Sequence, residues 1–430
     1  MVASPPLLAR RPMPKAASPT TISLSQARAA FLAAQGFPPA KKPAIVPTLE
    51  RTGFVRTLGG VDVYLAVRAR VPGMSRADLD RVVERHEAQV IPSVRGCIYL
   101  VPREEVPVAL RAADFLSRAR ALRDQERAGI RRGEVEKVAK EALALLRKSG
   151  PLTTDAIRKS LPDGIVRSLG DAGKKVGVSS TLPPALRHLE FQGSVERTLE
   201  GGRLDTERYL WRAVGKNPLE SARLSDDPAG LWPRLAEVFF RAAGLGTLSA
   251  FAAWAGISKR DATAAAEKLP LAPIEIEGVD SPHFVLEAER RGLLAAPRAD
   301  DAVAFLPFED NLLALRGGPA IFVDPAHHGL SVPIWGSGSK KEKLGEVRHM
   351  SFRSVVAEGK VVGFWEYDPD AKKVVVGCFD RVKPATRKRL GEAASDVSTF
   401  LAEDLGHGRS FSIDSDDELR KRAKLVRSLE

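Results

Sequence analysis

Cysteine is almost absent from this 430-residue chain: Cys97 and Cys378 are the only two. Two thiols make neither a disulfide framework nor a four-thiolate zinc site, so reduced cysteines and a cytoplasmic setting are expected. Long apolar runs are missing too. None approaches the roughly 18–20 residues that cross a bilayer, so no membrane partner is expected. The opening stretch MVASPPLLARRPMPKAASPT has scattered proline and no continuous apolar core, unlike a secretory signal. Histidine is sparse, and only His327 and His328 are adjacent, without Cys or carboxylates at ligand spacing. No metal is expected. Acid is lacking from the N-terminus: Glu50 is the first, after six Lys or Arg.

What is present is positive charge. The net charge is +12, and residues 103–175 hold 17 basic and 11 acidic side chains. Clustered cations raise the local concentration of polyanions and supply phosphate contacts, which points to nucleic acid. Hydrophobic residues at 44% and charged residues at 28% describe a globular chain, long enough for several modules.

Hydrophobic periodicity divides the chain. Residues 1–20 read as a disordered basic tail. Residues 21–130 read as a first winged-helix unit: SLSQARAAFLAAQGF is an amphipathic run capped by Ser23, SRADLDRVVERH is a helix capped by Ser75, and QVIPSVRGCIYLVP is a hairpin bent at Arg95-Gly96. Residues 131–216 repeat the order of helices followed by a hairpin, with Glu200-Gly201-Gly202 at the tip. Residues 226–300 do so again, and the aromatics Phe239, Phe251 and Trp254 sit at core spacing. Residues 301–412 change to a β-meander, with turns at Glu358-Gly359 and Asp368-Pro369-Asp370, and then a long helix. Residues 413–430 read as a charged, frayed tail. The expected class is α+β, with tandem winged helices followed by a small β-rich C-terminal domain.

No nucleotide-hydrolysis motif is complete. GSGSKKEK (336–343) lacks the P-loop gap and its Gly-Lys-Ser/Thr ending, and in SLGDAGKKVG a serine stands where the first glycine belongs. Both read as flexible basic loops, with Lys174 and Lys175 as phosphate contacts, and no cofactor is expected. The third helix of a winged helix enters the major groove, and its wing lies on adjacent backbone. In the second unit this makes Arg187 and His188 candidates on the recognition helix, and Arg197, Arg203 and Arg208 candidates on or near the wing.

Several stretches together resemble the winged-helix DNA glycosylases of the AlkZ/YcaQ kind. They are SLSQARAAFLAAQGF, AVRARVPGMSRADLDRVV, SVRGCIYLVPREEV, LSAFAAWAGIS and FLPFEDNLLALR, in family order. The resemblance implies tandem winged helices around a DNA channel, double-stranded and damaged DNA as partner, and catalysis by a Gln-x-Gln or Gln-x-Asp motif that positions a water at the sugar carbon. Counting back from Arg70, the motif positions fall on Arg56, Thr57 and Leu58, so neither Gln is present. Leucine cannot hold a water, and an arginine has no accessible base form. Tyr99 also stands where the family often has His.

The expectation is therefore a DNA-binding protein of this family without efficient base excision, with Arg56 and Arg95 in the DNA-contacting set. Two alternatives stand beside it. One is an active glycosylase excising alkylated or crosslinked bases, for which Asp62 in GGVDV would supply the carboxylate if it is not simply a helix cap. The other is a winged-helix transcriptional regulator.

Overall fold

Serine, threonine and aspartate set the helix starts. Ser23 and Ser75 form capping boxes with Gln26 and Asp78, opening helices Leu24–Ala34 and Arg76–Glu84. Thr153, Asp227, Thr247 and Ser258 accept backbone N–H groups at the heads of Thr154–Ser160, Pro228–Ala243, Leu248–Ala255 and Lys259–Ala266. The computed structural model describes residues 19–131, 133–206, 208–299, 301–334 and 340–429.

Three times the chain runs three main helices into a hairpin, and the second unit adds the short helix Gly170–Lys175. In the first unit, helices Ile45–Thr52, Asp62–Arg68 and Arg76–Glu84 precede the antiparallel strands Ala88–Pro92 and Ile98–Pro102. The two-residue strand Val55–Arg56 closes on Ile98–Pro102 from the other side. In the second, helices Glu134–Ser149, Thr154–Ser160 and Leu182–Phe191 lead into Val195–Leu199 and Tyr209–Ala213, and Leu152 bridges to Trp211. In the third, Pro228–Ala243, Leu248–Ala255 and Lys259–Ala266 lead into Leu271–Ile276 and Val279–Leu286, and Gly246 bridges to Phe284. A residue after the first helix pairing with the last strand is the winged-helix arrangement in all three. The C-terminal part is an antiparallel sheet in the order Lys373–Cys378, Lys360–Asp368, Arg353–Ala357, Val303–Leu306, backed by helix Pro384–Thr399. The class is α+β, and Phe239, Phe251 and Trp254 are buried together as core.

The units are tied to one another. Strand Thr20–Ile22 pairs in parallel with Leu271–Ile276, and helix Leu24–Ala34 buries Phe31 among Leu245, Ile274 and Phe322. The segment expected to open the first unit thus lies against the third unit and the C-terminal sheet. At the end of Asp62–Arg68, Arg70 is 3% exposed and donates through Nη1 and Nη2 to Asp310 Oδ2 and Oδ1, each at 2.8 Å. It also reaches Gln35 and the Ala66 carbonyl, so one guanidinium joins the N-terminal helix, the first unit and the FEDN segment.

Three segments differ from expectation. Residues 416–427 form a packed helix, Asp416–Arg427, capped by Ser415; Leu419, Ala423 and Val426 lie on one buried face against Lys360–Asp368 and Lys373–Cys378. Charge on the other face hid this apolar stripe. SLGDAGKKVG contains a short helix, Gly170–Lys175, and Lys341–Lys343 is a strand paired with Ser331–Pro333. Residues 1–18 of the expected tail and residues 335–339 of GSGSKKEK lie outside the described residues. Among the described residues no helix is long and apolar enough to cross a membrane, and no cluster of His, Cys, Asp and Glu has metal-binding geometry.

Asp310→Ala would strand the Arg70 guanidinium in the interior. We expect a loss of about 3–5 kcal/mol in a denaturant titration, since removing one partner of a buried pair leaves an uncompensated charge.

Candidate functional site

The tripeptide Arg56-Thr57-Leu58 leaves the edge strand of the first unit and runs into a glycine turn. Arg56 faces Tyr99 across the strand pair, and Thr57 N–H donates to the Ile98 carbonyl at 3.1 Å. Gly59 then bridges to Phe411 with a left-handed φ of 74°. Gly60 is pressed against the C-terminal segment: a Cβ there would stand 2.3 Å from the Arg409 carbonyl oxygen, so only glycine fits. The C-terminal segment therefore packs directly on the motif turn.

Beyond that turn, Asp62 opens its helix but does not cap it; the capping position is Val61, which has no side-chain cap. Asp62 is 2% exposed, and its Oδ1 accepts from Arg353 Nη2 at 2.9 Å and from Ser410 Oγ at 3.2 Å. Its Oδ2 has no hydrogen-bond partner. Burial raises its pKa to about 6 despite the attraction of Arg353. Arg353 is fully buried, donates to Glu366 Oε1 at 2.7 Å and to the Gly408 carbonyl at 2.8 Å, and lies over the Trp365 ring.

Sequence reasoning passed over the residue at the centre. Glu309, inside FLPFEDNLLALR, has φ 53°, a backbone region that non-glycine residues rarely occupy and that marks stored strain. Its Oε2 accepts from Arg56 Nη1 at 2.8 Å, and its Oε1 lies 2.8 Å from His349 Nδ1. Burial alone would raise this carboxyl, but the His349 hydrogen bond and the Arg56 charge outweigh it and hold it below the ordinary carboxylate range. Arg95 also sits in the left-handed region, at φ 57°, with its Nη2 3.4 Å from the Tyr99 hydroxyl, and its charge adds to the field on Glu309. The signal that was available was the pair of adjacent acids Glu309-Asp310 in an otherwise apolar run.

Arg56, Asp62, Phe308, Glu309 and Asp310 line a narrow pocket. It offers about 10 Å³ to the centre of a water-sized sphere, room for roughly one water. Arg56 Nε also points away from any hydrogen-bond partner. Its side chain is 17% exposed.

The remaining candidates lie in the second unit, away from this cluster. Arg197 pairs with Glu190 at 2.8 Å and lies over Trp211, only 8% exposed. Arg203 donates to Asp205 at 2.8 Å and to the Leu405 carbonyl at 2.8 Å. Arg197, expected on DNA, is thus nearly buried in an internal ion pair, while Arg203 is partly exposed and paired with Asp205. Lys174 pairs with Asp171 on the surface and Lys175 is exposed. Arg187 is exposed and lies 3.9 Å from Glu190, while His188 contacts Gln192 at 3.0 Å. Helix Val106–Arg127 packs along Leu182–Phe191, and Arg76–Glu84 buries Leu79, Val82 and Val83, while Arg187 and Arg81 stay exposed on the other faces of these helices. By contrast, Lys259 and Arg260 are exposed close after Gly256, which abuts Arg95, and Arg348 is exposed beside His349.

The pKa of Asp62 gives a signed test. Because it is raised on folding, its contribution to stability is fully present below the unfolded value near 3.8 and is lost as pH rises through about 6. Asp62→Asn removes this dependence. Relative to the parent, the variant is expected to gain roughly 2 kcal/mol between pH 4 and pH 7 in urea titrations. A pH-independent difference would show that the carboxyl titrates normally.

Three comparisons bear on what this arrangement is. No curated protein matches the chain. Among solved structures, Streptomyces sahachiroi DNA glycosylase AlkZ aligns with a TM-score of 0.66 at 18% identity, covering 91% of this chain and 98% of that one. That likeness is one of fold. The family model for DNA glycosylase AlkZ-like proteins matches residues 50–400, which takes in the motif turn, all three hairpins and the C-terminal sheet. The chain belongs to the AlkZ-like DNA glycosylase family.

Proposed function

We propose that this protein engages duplex DNA, damaged or distorted duplex above all, across the face where Arg56, Glu309 and His349 meet. We propose further that it releases bases inefficiently, because the Gln-x-Gln route has no residues here. The carrying observation is the 2.8 Å Arg56–Glu309 ion pair at the motif position, with exposed Arg348 next in sequence to the His349 that contacts Glu309; the exposed Lys259 and Arg260 add positive charge on the third unit. Arg56 is neutralised by its partner, so it shapes the floor of the site, while Arg348 and Arg95 meet phosphates. Lys174, Lys175, Arg187 and His188 extend the same role to the second unit.

A sequence-specific regulator needs a third helix free to lie in the major groove. Arg187 stands exposed on Leu182–Phe191, and Lys259 and Arg260 on Lys259–Ala266, so the sequence dependence of binding separates that reading from the first. An active glycosylase draws support from a different observation, the two carboxylates Asp62 and Glu309 on one small pocket.

Binding to a fluorescent duplex over a salt series checks the proposal. Affinity should fall steeply with salt and change little with sequence. Arg348→Ala or Lys259→Ala should each lower the log–log slope by about 0.9, the value for one lost phosphate contact. A slope unmoved by both substitutions would place the DNA elsewhere. On duplex carrying N7-methylguanine, base release should be at least roughly a hundredfold slower than in a relative with the Gln motif, the low end of what a positioned acid–base group contributes.

A further inference from the structure

A cavity of about 330 Å³ lies apart from the motif turn and shares no lining residue with the pocket of Arg56 and Glu309. It opens between the N-terminal helix Leu24–Ala34, the segment at Arg298-Ala299, and the hairpin turn Glu358-Gly359-Lys360. Its apolar lining includes the buried Ala29, Leu32 and Ala299. Four cations also line it, Arg28, Arg298, Lys360 and Lys383, against two carboxylates, Asp324 and Glu358.

Local turns build this arrangement. Glu358 (φ 53°) and Gly359 (φ 74°) take the left-handed conformations that a two-residue hairpin turn requires, and Ala357 pairs with Lys360 across it. Glu358 Oε1 accepts from Thr386 Oγ1 at 2.7 Å, which fixes the turn against the first turn of helix Pro384–Thr399, beside Lys383. Lys360 donates to Asp324, and Arg28 Nη1 stands 3.7 Å from the same carboxylate. Both acids are therefore engaged, and the lining keeps a surplus of two positive charges. Burial lowers the pKa of Arg28 more than Asp324 restores it, so a further anion would stabilise this cation. Arg298 and Lys383 are exposed, and among the described residues Lys383 forms no ion pair.

Cations gathered around a concave apolar surface suit a small ligand with a charged end and a less polar body. A phosphomonoester carries about −1.5 to −2 charges at pH 7, which matches the surplus, and its oxygens accept charge-assisted hydrogen bonds. A duplex backbone offers phosphodiesters of one charge each, half of what the lining holds. We propose that this cavity binds a small phosphomonoester of nucleotide size, with Lys383 and Arg298 on the phosphate and the body of the ligand over Leu32 and Ala299. Arg28 and Lys360 stay on Asp324 and supply the positive field behind the phosphate. The site binds its ligand and carries out no covalent step.

Isothermal titration calorimetry of the full chain with adenosine 5′-monophosphate (AMP) tests this, with adenosine as the uncharged control. AMP should bind saturably and at least about tenfold more tightly than adenosine, the order expected for hydrogen bonds to a charged group. The double variant Lys383→Ala/Arg298→Ala should lower AMP affinity by about tenfold or more on the same ground. Arg348→Ala, on the face proposed for DNA, should leave it unchanged. Should the double variant fail to fold in a thermal melt, Lys383→Ala alone decides, with a loss of roughly threefold or more expected. No saturable AMP binding up to about 10 mM, equal affinity for adenosine, or an affinity unmoved by these substitutions overturns the proposal. Saturating undamaged duplex, added first, distinguishes the two sources of phosphate. Unchanged AMP affinity supports the small-molecule site, and competitive loss assigns the cavity to the DNA backbone and overturns it.

Discussion

A fully buried arginine holds the site together. Arg353 stands on the C-terminal sheet, and its guanidinium ties Asp62 of the first unit to Glu366 of the neighbouring strand and to Gly408 and Ser410 of the returning chain. A charge this deep persists only where its hydrogen bonds are nearly all made, so the packing of three segments is dictated by one side chain. Glu366 is shared with Arg422 of the last helix, which also pairs with Asp414. The helix that would otherwise be a charged tail is thereby part of the same network. Gly60 completes the arrangement, since any side chain there would lever the C-terminal segment off the motif turn.

That network sets the electrostatics of the pocket. Two carboxyls on one wall are driven in opposite directions: Asp62 upward because burial dominates, Glu309 downward because a histidine and an arginine contact it. Glu309 stays ionised and fixes Arg56. Asp62, held close to neutral pH, is the group able to change state.

Much of the fold was legible because it is written in local chemistry. Ser75, Thr153 and the Pro183-Pro184 pair mark helix starts, and Arg95-Gly96 and Glu200-Gly201-Gly202 mark the hairpins. The resemblance led to the family that the chain belongs to. What stayed hidden depends on distant pairing. Nothing near Asp62 in sequence announces Arg353, 291 residues away, nor does Arg56 announce Glu309, 253 residues away. For the same reason Arg197 and Arg203 read as free cations when Glu190 and Asp205 already hold them. Charge type is visible in a sequence; whether a charge is already paired is a property of the fold.

The central claim is that DNA lies across the face where Arg56, Glu309 and His349 meet, with Arg348 among its phosphate contacts. The most direct measurement is a crystal structure of the full chain with a duplex carrying a cationic pyrrolidine in place of one nucleotide's sugar, a mimic of the developing charge at C1′. The account predicts the pyrrolidine over the face of Arg56, Glu309 and His349, with phosphates against Arg348. A duplex seated on another face would contradict it.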